Sequence, residues 1–144
     1  MKIIIVLFIL LSSVYGAKID EFAKEASYFR DYNSALVIAK KENKILMLVL
    51  VADFCPWCKK FERKTLENKS VSSLVDENFI PVIVDNYRDK EYFPKELSTK
   101  KLPRVYFINA NTQEVINKSN LYVKKNDFLI IINETLKIDK DSIK

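Results

Sequence analysis

From Ile45 to Val51 the chain is apolar without a charge, a run that reads as a strand buried on both faces. Just beyond it the period changes. Phe61 and Leu66 sit among Lys59, Lys60, Glu62, Arg63, Lys64 and Glu67, the spacing of a helix with one buried side, which the pattern carries to about Asn68. Upstream, Ile19, Phe22, Ala26 and Phe29 recur at helical spacing between Ala17 and Arg30. They predict a lead-in helix and then a short strand near Tyr28 and Phe29. Asp31 or Asn33 can cap the next helix, which runs through Ala35, Leu36, Ile38 and Ala39 to Lys41 and ends near Asn43.

Downstream, Ser70 is expected to cap a shorter helix carrying Val71, Leu74 and Val75. Phe79 to Val84 reads as the next strand. Pro81 has no N–H for a ladder and so marks an edge strand or a strand start. Residues 85–101 form a polar connection with a helical turn around Phe93 to Leu97. Arg104 to Ile108 is a strand, Asn109 to Thr112 a turn in which asparagine replaces glycine, and Glu114 to Asn117 the antiparallel partner. Lys125 to Leu136 closes the domain as a helix burying Phe128, Ile131 and Ile132 or their neighbours. Strand–helix–strand alternation followed by a hairpin and a helix predicts an α/β sandwich with right-handed crossovers.

A length of 144 residues suits one domain. The net charge of +5 is spread among interspersed acids and bases, so it implies solubility and no nucleic-acid footprint. Histidine is absent, which removes imidazole-dependent catalysis and metal binding. The single glycine, Gly16, excludes a Gly-rich phosphate loop, and two cysteines are too few for a four-thiolate zinc site. We therefore expect no metal and no cofactor. Met1-Lys2, the apolar run Ile3 to Leu11, and Val14 and Gly16 before Ala17 have the form of a secretory signal peptide over residues 1–16. The run is short of the roughly 20 residues that span a bilayer. Residues 17–144 would then form an exported domain, in surroundings where a disulfide persists.

The chemistry concentrates in Cys55-Pro56-Trp57-Cys58, which holds both cysteines and the only tryptophan. The pair falls where the buried strand gives way to a helix. Helix N-terminal N–H groups lack internal partners and stabilise an anion, so a thiolate is favoured there, and the thiolate is what attacks disulfides. Pro56 fits the first helical turn, where its missing N–H costs nothing. Cys55, nearer the helix start, is the candidate nucleophile, and Cys58 the thiol that resolves the mixed disulfide. Trp57 is expected as an exposed apolar surface facing the substrate, and Lys59 and Lys60 as a solvated face. A Cys-x-x-Cys pair also occurs as a structural staple or as half of a metal site shared between chains. The flanking strand and helix, with Pro103 downstream, favour the redox reading.

On these residues the sequence resembles the thioredoxin superfamily. The carrying features are the strand ending in Val51-Ala52-Asp53-Phe54, the Cys55-Pro56-Trp57-Cys58 motif, and Leu102-Pro103 ahead of Val105-Tyr106-Phe107. The resemblance spans most of residues 28–138 and, more narrowly, is to small exported bacterial thioredoxin-like proteins, thiol:disulfide reductases among them. It implies a thioredoxin-like three-layer α/β/α sandwich with a central mixed sheet. It also implies a cis proline at Pro103 lying against the cysteines, and substrate contact at Leu102 and Pro103. The implied partners are protein thiols or disulfides and a membrane thiol electron donor, for a monomer in the bacterial periplasm. Val49 stands where cytosolic thioredoxins carry a buried acid, which leaves proton transfer from Cys58 to water or to another carboxylate, Asp53 or Glu62. Two other uses of the same fold stay open: a binding module with a structural disulfide, and a disulfide oxidase or isomerase.

Overall fold

A computed structural model describes residues 18–142; the signal-peptide expectation for residues 1–16 lies outside them. The elements in order are α1 (Lys18–Ala26), α2 (Tyr32–Glu42), β1 (Ile45–Val51), α3 (Pro56–Phe61), α4 (Lys69–Asn78), β2 (Phe79–Asp85), β3 (Arg104–Ile108), β4 (Val115–Asn120) and α5 (Lys125–Ser142). A π-helical turn, Glu62–Leu66, continues α3, and a 3-10 turn, Lys95–Leu97, punctuates the polar connection. The sheet order is β2-β1-β3-β4, with β1 parallel to β2 and antiparallel to β3, and β3 antiparallel to β4. The sheet is thus mixed, as expected.

Successive side chains of a strand point to opposite faces, so a strand without a polar residue needs cover on both. Every residue of β1 is buried. Its Met47, Val49 and Val51 pack with Ile19 and Phe22 of α1, Cys58 and Phe61 of α3, Val71 and Val75 of α4, and Phe128 and Ile132 of α5. Leu46, Leu48 and Leu50 face the other way, onto Tyr32, Ala35, Leu36 and Ala39 of α2. These are the three layers. An aromatic column leads up to the motif helix: Phe79 on Phe107, Phe107 near Phe128, and Phe128 edge-on to Phe61 at 5.3 Å.

Pro81 sits in an edge strand. The residue-29 bridge pairs with β2 on its outer side, Phe29 N–H donating to the Pro81 carbonyl and Ile83 N–H to the Phe29 carbonyl. The N and C=O of one strand residue point the same way, so the missing N–H of Pro81 faces outward and removes nothing from the β1 ladder. Asp31 caps α2 by accepting from Ser34 N–H at 2.7 Å, and Asn43 ends it in the left-handed conformation.

Four sequence expectations need correction. Asn68, not Ser70, caps α4; its backbone is extended and its carboxamide oxygen accepts from Ser70 N–H, an orphan donor of the first turn. The second hairpin strand is not Glu114 to Asn117 but Val115–Asn120. Its ladder to β3 is backbone bonding that tolerates polar side chains. In that hairpin the left-handed residue is Gln113, while Asn109 shapes the turn by accepting from the N–H groups of Asn111 and Thr112. The last helix runs on to Ser142, and Ile131 is only partly covered, whereas Phe128 and Ile132 are fully buried.

Candidate functional site

The buried end of β1 delivers the chain to Asp53 and Phe54, and Cys55 follows as the N-cap of α3. Its backbone is extended, its carbonyl accepts from Cys58 N–H (3.1 Å) and Lys59 N–H (3.3 Å), and its Sγ accepts from Cys58 N–H at 3.2 Å. Sulfur thus occupies the position that a serine or aspartate oxygen takes at a helix start. Pro56 stands at the first helical turn, as expected. Cys55 and Cys58 are joined in a disulfide with Cα atoms 5.2 Å apart. Cys58 is fully buried, whereas Cys55 is half-buried, so one sulfur is open to a partner and the other is shielded.

Trp57 is 55% exposed and lies at 5.4 Å from Tyr122, and the Lys60 ammonium sits over both rings at 4.7 and 4.9 Å. That contact holds the indole against the β4–α5 loop. Trp57, Leu102, Leu121 and Tyr122 line an apolar groove of about 370 Å³. Leu121 is half exposed, and its positive φ of 59° costs a residue with a Cβ about 1 kcal/mol or more. An apolar side chain is thereby held out at the groove rim by an unfavourable backbone. Pro103 is buried behind Leu102, and the Leu102–Pro103 peptide is cis. Lys60 is exposed but not merely solvated, which corrects the expectation of a plain solvent face.

Val49 is fully buried in the core beneath Cys58, so the carboxyl group nearest the chemistry comes from elsewhere. Glu62, one turn past Cys58, is 3% exposed and accepts from Lys59 Nζ at 3.2 Å. Burial raises its carboxyl above the ordinary range. Lys59 pulls it back, while Glu67 and Asp53 add to the rise. Thr65, buried in the π turn, donates to the Val123 carbonyl at 2.6 Å and so ties the motif helix to the β4–α5 loop.

The opposite flank of the motif is ionic. Asp53 pairs with Arg88 at 3.0 Å through Oδ2; its buried Oδ1 has no partner among the described residues. Asp53 N–H donates to the carboxylate of Asp85, which also accepts from Tyr87 N–H and Arg88 N–H at 2.9 Å each. Exposed Phe54 rests against Tyr87 at 5.5 Å.

Of the residues expected at the site, the fold gathers Cys55, Pro56, Trp57 and Leu102 at one surface, with Cys58 and Pro103 buried beneath. Leu121 and Tyr122 were missed, although the short apolar run Leu121-Tyr122-Val123 between polar residues ahead of the last helix was a signal. Asp85 was missed as well; it is the first charged residue after the apolar run Phe79 to Val84.

A family model described as a thioredoxin-like domain matches residues 32–136. The solution structure of a thioredoxin from Thermus thermophilus superposes with a TM-score of 0.67 at 18% identity, covering 76% of this chain and 86% of that one. The oxidised C-terminal domain of Neisseria meningitidis DsbD gives 0.61 at 22% identity, covering 75% and 98%. In sequence, the thiol:disulfide interchange protein DsbD of Photorhabdus laumondii is 22% identical over 107 residues, 70% of this chain and 19% of that protein. The chain spans only 6 to 19% of the length of the curated relatives it matches.

Proposed function

The chain belongs to the family of thioredoxin-like domains, and on that premise we propose that it is an exported thiol:disulfide oxidoreductase that reduces protein disulfides. The observation that carries the reading is the asymmetry of the pair: an accessible sulfur capping a helix, a buried sulfur beside it, and an apolar groove alongside. In the dithiol form the Cys55 thiolate attacks one sulfur of a partner disulfide. A Cys55–partner bond forms, and the partner's other sulfur leaves as a thiolate, to be protonated. Cys58 loses its proton and attacks Cys55 Sγ. The Cys55–Cys58 disulfide forms, and the partner leaves as a dithiol. Two electrons pass from this chain to the partner. Glu62 is the carboxylate suited to take the Cys58 proton, in place of the acid absent at Val49. Trp57, Leu102 and Pro103 line the surface on which the partner lies.

The reducing direction rests on the resemblance to small exported reductases and on the compact β1–β2 crossover, which holds only α3, its π turn and α4. A membrane thiol donor would restore the dithiol, and the domain would act as a monomer in the periplasm. Titration of the Cys55–Cys58 pair against graded glutathione and dithiothreitol buffers tests this. A strongly reducing equilibrium is expected. A strongly oxidising one would make the protein a disulfide donor, and a pair that does not cycle without unfolding would make the disulfide a staple in a binding module.

A further inference from the structure

Asp85 and Asn86 end β2, and both are 2% exposed. Asp85 faces the motif, holding Asp53 N–H and the Arg88 side chain. Asn86 faces the other way. Its N–H donates to the Val51 carbonyl at 2.9 Å, which fastens it to the end of the strand that carries the cysteines. Its Oδ1 accepts from Thr99 N–H at 3.0 Å and from Ser98 Oγ at 3.2 Å. Two donors converging on one atom require the amide oxygen there. Thr99 Oγ1 in turn accepts from Lys101 N–H at 3.1 Å, closing a turn that ends at Leu102.

Between the 3-10 turn and β3 the backbone of residues 98–103 has no ladder to rest on. The wall of the groove at Leu102 is therefore fixed at one end by β3 and at the other by Asn86. We infer that Asn86 is a positioning residue for partner capture: it sets the gap between Leu102 and Trp57, and hence how firmly a disulfide carried on a polypeptide with an apolar neighbouring side chain is held. The inference rests on the oxidoreductase reading above and adds a separable step to it. Asn86 touches neither sulfur. A partner with no chain beyond its sulfurs gains nothing from the groove, so its reduction should not depend on Asn86.

The test uses the full chain, reduced beforehand, in single-turnover reactions with excess disulfide. One probe is a cyclic peptide disulfide with a leucine beside a cysteine; the other is bis(2-hydroxyethyl) disulfide. For Asn86→Ala the half-saturating peptide concentration should rise about tenfold, the loss of two ordering hydrogen bonds. The limiting rate, the rate with the small disulfide and the glutathione equilibrium should stay within about twofold, since nothing near sulfur has changed. Asn86→Asp, which keeps an acceptor for Thr99 N–H, should restore most of the peptide affinity. Equal losses with both disulfides, or no loss with the peptide, overturn the inference. If Asn86→Ala does not fold, Ser98→Ala removes one donor at an exposed position. It should raise the half-saturating concentration about two- to threefold, and an unchanged value overturns the inference. A wild-type chain that reduces neither probe overturns the oxidoreductase reading and this inference with it; an active wild type matched by Asn86→Ala overturns the inference alone.

Discussion

In the reduced protein, Cys55 should react with iodoacetamide at pH 7 several times faster than an unstructured cysteine, and Cys58 far more slowly. The magnitude follows from the cap. Negative charge at a helix N-terminus gains about 0.3–1 kcal/mol. A hydrogen bond to a charged acceptor gains about 1 kcal/mol over one to a neutral acceptor, and Cys55 Sγ has such a donor in Cys58 N–H. Together these give about 1.3–2 kcal/mol, a roughly ten- to thirtyfold shift of the ionisation equilibrium, and because the thiol is then partly ionised at pH 7 the thiolate fraction rises about eight- to sixteenfold. A more acidic thiol is also a weaker nucleophile, with a Brønsted slope of about 0.4–0.5, so the net acceleration is about threefold. Cys58, with no exposed surface, is closed to the reagent. The assay is limiting iodoacetamide, an acid quench and mass spectrometry of the proteolytic peptides, with the urea-unfolded chain as reference. Labelling of Cys58 ahead of Cys55, or of Cys55 at the unfolded rate, would refute the cap argument.

Three further outcomes are expected. Glu62 titrates above its ordinary 4.5 in the folded state. As pH rises from about 4.5 through that raised value, the native state holds a proton that the unfolded chain has already lost, so stability falls. Glu62→Gln should flatten urea-unfolding stability over that window, and parallel pH slopes for the two proteins would contradict this. Phe128→Ala should cost about 3–5 kcal/mol in the same unfolding assay, because a fully buried ring between Phe61 and Phe107 is removed; a loss under about 1 kcal/mol would mean that α5 does not seal this core. Asp31→Ala should cost about 1 kcal/mol at neutral pH. Ser34 holds the Asp31 carboxyl below its ordinary range, so the stabilisation is present at neutral pH and lost as pH falls through the lowered value. The two proteins should therefore converge in acid, and a gap that widened there would count against the cap.

The sandwich was legible because its strongest signals are compositional. The uncharged β1 run demanded cover on both faces, and helical spacing around it supplied the covers. The cysteine motif was legible because strand, proline and helix bracket it. The limits of β4 were not, because an edge strand bonded through its backbone carries no alternation to read. The π turn was not read either: Phe61 and Leu66 stand five apart, one more than an α-helix brings to one face, and the wider turn that buries both also aims Thr65 at Val123. Groove residues Leu121 and Tyr122 join Trp57 only through the return of the chain along β4, a juxtaposition that local pattern does not encode.

Pro81 and the Phe29 bridge bear on how copies of this chain could associate. Strand-by-strand polymerisation needs two free borders per molecule, one to template and one to be templated. Here the border at β2 is blocked in its middle by the Phe29 segment, and Pro81 has no N–H to offer there. That leaves β4, which has no outer strand partner among the described residues. Two molecules meeting border to border at β4 would use up both, and growth would stop at a closed pair instead of a fibre.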